Sequence, residues 1–69
     1  MTALTDRQQR VYAALKAAGM PLTVAEVAED TGISTARVRD ILRALQAFGL
    51  TDMAGVSMTR NARTWKATR

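Results

Sequence analysis

TVAEVAEDTGISTARVRDILRALQAFG, residues 23–49, divides at Gly32 into two amphipathic segments, and that division decides the fold. Thr23 stands three residues before Glu26, the spacing of a capping box in which each side chain satisfies an end amide of the other. A helix therefore starts at about residue 24. Val24, Val27 and Ala28 recur at helical spacing while Glu26, Glu29 and Asp30 fall on the remaining surface, so one stripe is apolar. Gly32 stops this helix, because glycine enters the left-handed conformation of a C-terminal cap without a Cβ clash. Ser34 suits the next N-cap, and Ile33 before it can pack on Val38 as a hydrophobic staple. The following helix repeats Val38, Ile41, Leu42 and Leu45 on one face and meets a second stop at Gly49. At about 100° per residue, Ala36, Asp40, Arg43 and Ala47 point the opposite way, with Arg37 and Arg39 on the flanks. The exposed face is cationic and contains small residues.

The combination of Ala28, Gly32, Ile33, Val38 and Ile41 resembles the core spacing of the helix-turn-helix family. In that family the small residue lets two helices cross closely, the glycine makes the turn, and the later aliphatics lock the second helix. The resemblance implies a DNA reader. A plain helical hairpin is the competing structure, since it also uses a glycine turn and apolar stripes.

Charge separates these alternatives. The first 32 residues hold Arg7, Arg10 and Lys16 against Asp6, Glu26, Glu29 and Asp30, a sum of −1. Residues 33–69 hold six arginines and Lys66 against Asp40 and Asp52, a sum of +5, which completes the net charge of +4. A segregated, arginine-rich half favours a polyanion, because the guanidinium fork matches phosphate and guanine edges in bidentate fashion. A merely solubilising surface would intersperse the two signs.

Sixty-nine residues are enough for one domain, although a chain of this size buries only about 60% of its unfolded surface. The absence of cysteine and histidine removes a disulfide framework, a zinc finger and histidine-dependent catalysis. No metal, cofactor or small-molecule ligand is expected, and no catalytic constellation suggests an enzyme. No apolar run approaches the roughly 20 residues of a membrane span, and the N-terminus lacks a secretory h-region. A cytoplasmic, nucleoid-associated protein is expected.

Ahead of the pair, Thr5 and Gln8 repeat the capping-box spacing, and Val11, Tyr12, Leu15 and Ala18 follow at helical intervals up to Gly19. This predicts a first helix over about 6–18, with Val11, Leu15 and Ala18 inward and the Tyr12 hydroxyl in water. Pro21 biases its predecessor away from helix, so residues 20–22 form an extended connector, with room for a short strand near 21–23. The helices that follow are placed at about 24–31 and 35–48.

After Gly49 the helical stripe disappears, and Val, Met and Thr mix with Gly55, Asn61 and Trp65. A β-hairpin over about 50–68 is predicted, with strands near 50–57 and 63–68 and a tip around Thr59 to Ala62 where Asn61 tolerates a positive φ. Trp65 is expected to bury its ring, with Thr64 and Lys66 facing away. The whole chain, 1–69, thus reads as a mainly α fold with a small β-hairpin (α+β). Three helices followed by a basic hairpin resemble the winged helix-turn-helix arrangement, in which the third helix enters the major groove and the hairpin, or wing, meets the backbone or minor groove.

A closer resemblance lies at the start of the chain. Leu4-Thr5-Asp6-Arg7-Gln8-Gln9-Arg10-Val11-Tyr12, then Gly19-Met20-Pro21-Leu22-Thr23 and Ala25-Glu26-Val27-Ala28, are similar to the DNA-binding domain of LexA-type repressors over roughly residues 3–32. The remainder shares only the architecture. The stretch before Gly19 is shorter than in that family and the exposed residues of the third helix differ, so target sequence and recognition contacts do not transfer. No Ser-Lys self-cleaving domain is expected.

These residues predict a small transcriptional regulator, repressor-like, that binds double-stranded DNA, alone or as a homodimer. Arg39 and Arg43 are the candidates for base edges, with Asp40 either accepting from a cytosine amino group or orienting Arg43 or Arg37. Ser34 and Thr35 stand at the positive end of the helix, where a phosphate fits, and Ala36 permits close approach. Arg37, Arg60, Arg63 and Lys66 are the phosphate candidates, with Asn61 at the wing tip. Two other readings remain: a protein-interaction module using an exposed patch of Phe48, Met53, Val56 and Met58, and an architectural, recombination or replication factor.

Overall fold

The computed structural model describes residues 3–69. The elements run α1 (Asp6–Ala18), β1 (Leu22–Thr23), α2 (Val24–Thr31), α3 (Thr35–Ala47), β2 (Thr51–Ser57) and β3 (Ala62–Ala67). Three helices thus precede a hairpin whose second strand also pairs with β1, giving an antiparallel sheet in the order β1-β3-β2.

Helix boundaries follow from local hydrogen bonds. Both capping boxes form: Thr5 with Gln8 opens α1, and Thr23 with Glu26 opens α2. The Ser34 hydroxyl oxygen accepts the Arg37 amide at 3.3 Å and opens α3. Gly32 closes α2 at φ 74°, where a Cβ would be strained, and its N–H donates to the Ala28 carbonyl at 2.9 Å. Helix α3 ends one residue before the expected position. Phe48 is its cap, and the Gly49 and Leu50 amides donate to the Gln46 and Leu45 carbonyls, both at 2.9 Å. This pair of bonds is a Schellman motif, which turns the chain directly into β2.

The core joins Val11 and Leu15 of α1, Val27 of α2, Ile33 of the turn, Val38, Ile41, Leu42 and Leu45 of α3, and Trp65 of β3. Ile33 and Val38 are both buried, as the staple requires. Leu42 and Leu45 have no exposed surface, so α3 is the element most deeply seated. Thr51 strengthens that seat: its hydroxyl donates to the Leu42 carbonyl at 3.0 Å, tying β2 to the middle of α3.

Three expected placements differ. Ala14, not Ala18, completes the buried face of α1; Ala18 lies in the last turn, where it lines a shallow surface groove beside α2. Thr64 shares the Lys66 side of the strand, away from Trp65, yet is buried there, because β3 is the central strand. Thr64 lies between Thr23 of β1 and the register shift at Met53/Gly55 in β2, and its hydroxyl donates to the Gly55 carbonyl at 3.2 Å. The Tyr12 hydroxyl donates to the Arg69 carbonyl instead of water, holding the end of the described chain against α1. Among the described residues no helix is long and apolar enough to cross a membrane.

Candidate nucleic-acid interface

Two elements with different supports face each other across a groove of about 730 Å³. One wall is α3, which presents Thr35, Arg39, Arg43 and Gln46; the other is the hairpin, which presents Met53, Arg60, Ala62, Arg63 and the edge of Trp65. Thr23, Val24 and Ala25 at the start of α2 close one end. Arg39, Arg43 and Gln46 follow at intervals of four and three, the spacing of a single helical stripe. No carboxylate lines the groove. Its potential is therefore set by arginine.

The hairpin wall acquires its arginine through strand alternation. Trp65 turns its ring into the core, and Arg63, two residues earlier, shares that side of β3. A guanidinium nitrogen of Arg63 lies 3.5 Å from the Met53 sulfur, which supports the side chain against β2. Lys66 stands three residues from Arg63, hence on the other face of the sheet. There it borders a separate groove with Lys16 and Arg69, so the structure does not bring it together with α3.

The remaining predicted residues divide in the same way. Ser34, Ala36, Arg37 and Asp40 are exposed on α3 but stand outside the groove walls. Among the described residues both ion pairs belong to Arg60, so Asp40 orients neither Arg37 nor Arg43 through one. Asn61 sits at the wing tip with φ 51°, as expected of a turn asparagine. Arg60 borders the α3 groove but sends its guanidinium toward α2, 3.5 Å from Glu29 and 4.0 Å from Glu26. The four expected apolar residues Phe48, Met53, Val56 and Met58 are all exposed; Met53 lines the α3 groove and Val56 borders another depression with Met20 and Pro21.

Gln46 belongs to the groove without having been anticipated from the sequence. Its amide nitrogen donates to an Asp52 carboxylate oxygen at 3.1 Å, and the same oxygen accepts the Met53 amide at 2.9 Å. The carboxamide is thereby held with its carbonyl free. The available signal was its position three residues beyond Arg43, obscured because glutamine carries no charge.

Glu26 has a pKa below the usual glutamate range. The backbone amide of Thr23 is the largest cause, followed by the Thr23 side chain, with Arg60 adding a smaller favourable charge and burial opposing them. The carboxylate stays ionised while it caps α2.

A helix presenting arginines beside a basic hairpin is the geometry of a winged-helix DNA contact. Residues 2–60 match the family described as sugar-specific transcriptional regulator TrmB. The chain belongs to the TrmB family. That family is one of transcriptional regulators, and the fold of this chain is the winged helix. The structure of Lactococcus lactis ZitR, a C30AH42A mutant, superposes with a TM-score of 0.80 at 28% identity. The match covers 99% of this chain and 45% of that chain, so the TrmB-family chain spans less than half of ZitR. No curated protein matches.

Proposed function

We propose that the 69 residues act as one winged-helix unit that binds double-stranded DNA sequence-specifically, with α3 in the major groove and the wing on the backbone or in the minor groove. The observation that carries this reading is the carboxylate-free groove in which Arg39, Arg43 and Arg63 converge from two elements. Arg39 and Arg43 read base edges, since each can donate two parallel hydrogen bonds to a guanine. Ala36 lets the leading turn of α3 approach the groove floor. Asp40, free of arginine partners, accepts from a cytosine amino group.

Phosphates are met at both walls. The Ser34 oxygen is occupied by the Arg37 amide, yet its O–H remains free to donate, and Thr35 beside it lies at the positive end of α3. Arg37 and Arg63 contribute charge, with Asn61 reaching the backbone from the tip. The LexA-like stretch at residues 3–32 fits this assignment, because it comprises α1, β1 and α2, the scaffold behind the reading helix. A homodimer would place two α3 helices on half-sites about one helical turn apart, acting as a cytoplasmic, nucleoid-bound regulator without a metal or cofactor.

Selection of bound duplexes from a random pool, followed by titration at several salt concentrations, tests this reading. A defined consensus is expected, palindromic if the protein binds as a dimer. Absence of binding to any duplex at low salt would refute it.

A further inference from the structure

Arg60 is the cation whose geometry differs from that of the others. It follows the wing turn, where its amide donates to the Ser57 hydroxyl oxygen at 3.2 Å and Asn61 next to it takes a positive φ. The tip backbone is thus set locally, and the side chain leaves it toward α2. Its Nε lies 4.0 Å from Glu26 Oε2, and a terminal nitrogen lies 3.5 Å from Glu29 Oε1. Glu26 and Glu29 are three residues apart and share one face of α2. The two oxygens of Glu26 have separate duties: Oε1 accepts the Thr23 amide at 2.8 Å in the cap, and Oε2 faces the wing.

This arrangement suits an attachment better than a phosphate contact. A guanidinium beside two carboxylates has its charge more than compensated locally, and Asp30 adds a third acid to the same depression. A DNA phosphate would be repelled there. The wing tip has few other anchors, because residues 58–63 are all exposed.

We propose that Arg60 is a positioning residue that clamps the wing tip to the acidic face of α2, setting the spacing between the wing and α3 without touching the DNA itself. The inference rests on the DNA-binding reading for its consequence, while the clamp itself is a property of the free protein. Glu29 is then a contributor to DNA affinity despite its negative charge. That sign is the distinguishing feature, since an unpaired acid near a polyanion should weaken binding and its removal should strengthen it.

The test compares the intact chain with Arg60→Met, Glu29→Gln and the double variant, titrated with the selected duplex across a salt series. Both single variants are expected to bind about two- to fivefold more weakly, the range for loss of an exposed ion pair. The double variant should be no weaker than the worse single one, and the salt slope should change by well under the one unit of a lost phosphate contact. Unchanged or tighter binding by Glu29→Gln, or a slope lower by about one unit in Arg60→Met, would overturn the proposal. Amide relaxation of residues 58–62 in the free protein supplies an independent arm. Order parameters falling below about 0.6 in both single variants support the clamp, and unchanged values overturn it. Should the wild-type chain bind no duplex, the DNA reading fails and relaxation alone decides the clamp.

Discussion

Helix α3 and the wing form the two walls of one groove, but they are held there by different forces. Four α3 side chains are buried, three of them completely, and both helix ends are closed by local hydrogen bonds. The wing is buried only toward its base, at Thr51, Thr64 and Trp65, and its tip meets the rest of the molecule through Arg60. The α3 wall is thus fixed by packing, whereas the position of the other wall depends on an exposed electrostatic contact. Packing is insensitive to salt, and exposed ion pairs are not. Geometry on the wing side should therefore soften as ionic strength rises.

The contrast can be broken most severely at the core. Leu42→Ala removes a fully buried side chain and should cost about 2 to 5 kcal/mol in denaturant unfolding, carrying DNA binding with it. A loss below 1 kcal/mol, about that of one exposed ion pair, would deny that α3 is the better-anchored wall. Arg43→Ala should leave unfolding unchanged and cost about 1 to 3 kcal/mol of binding, confined to one position of the selected duplex. An equal loss on every sequence would move Arg43 from base reading to phosphate contact. Thr23→Ala deletes a cap whose residue is also buried, and should cost about 0.5 to 2 kcal/mol of stability by thermal melting. On the wing wall, Arg63→Ala should weaken binding to all duplexes alike and lower the salt slope by about one unit.

The smallest expected effect concerns acid. Because the folded-state pKa of Glu26 is lowered, its contribution is complete above the ordinary unfolded glutamate value and is lost as the pH falls through the lower folded value. Melting temperatures compared at pH 7 and pH 3 should show a decline that Glu26→Gln reduces. An identical decline in both proteins would remove Glu26 from the acid response.

Much of the α3 wall is legible in the sequence. Thr23 with Glu26, Ser34, Gly32 and Gly49 act within one helical turn, so their sequence spacing is their geometry. The stripe of Val38, Ile41, Leu42 and Leu45 determined which side of α3 faces inward, and hence that Arg39 and Arg43 face out. Hairpin placement was legible for a related reason, since Asn61 identifies a turn by its own backbone preference. The misplaced residues are those whose neighbours come from elsewhere. Thr64 is buried by β1, 41 residues away at Thr23, and Tyr12 finds its acceptor at Arg69. Lys66 and Arg60 both counted as cations of a basic half, yet one faces the far side of the sheet and the other is paired with α2.

By itself the sequence determined the helices, their caps, the turn, the inward stripe and the segregation of charge, because each depends on residues within a few positions of one another. Only the tertiary structure decided which cations share a groove. Sequence supplies their number and order, but an arginine's partner depends on the path of the whole chain, and here that path brings Arg39, Arg43, Arg60 and Arg63 to a common opening while pairing Arg60 alone with carboxylates 31 and 34 residues earlier.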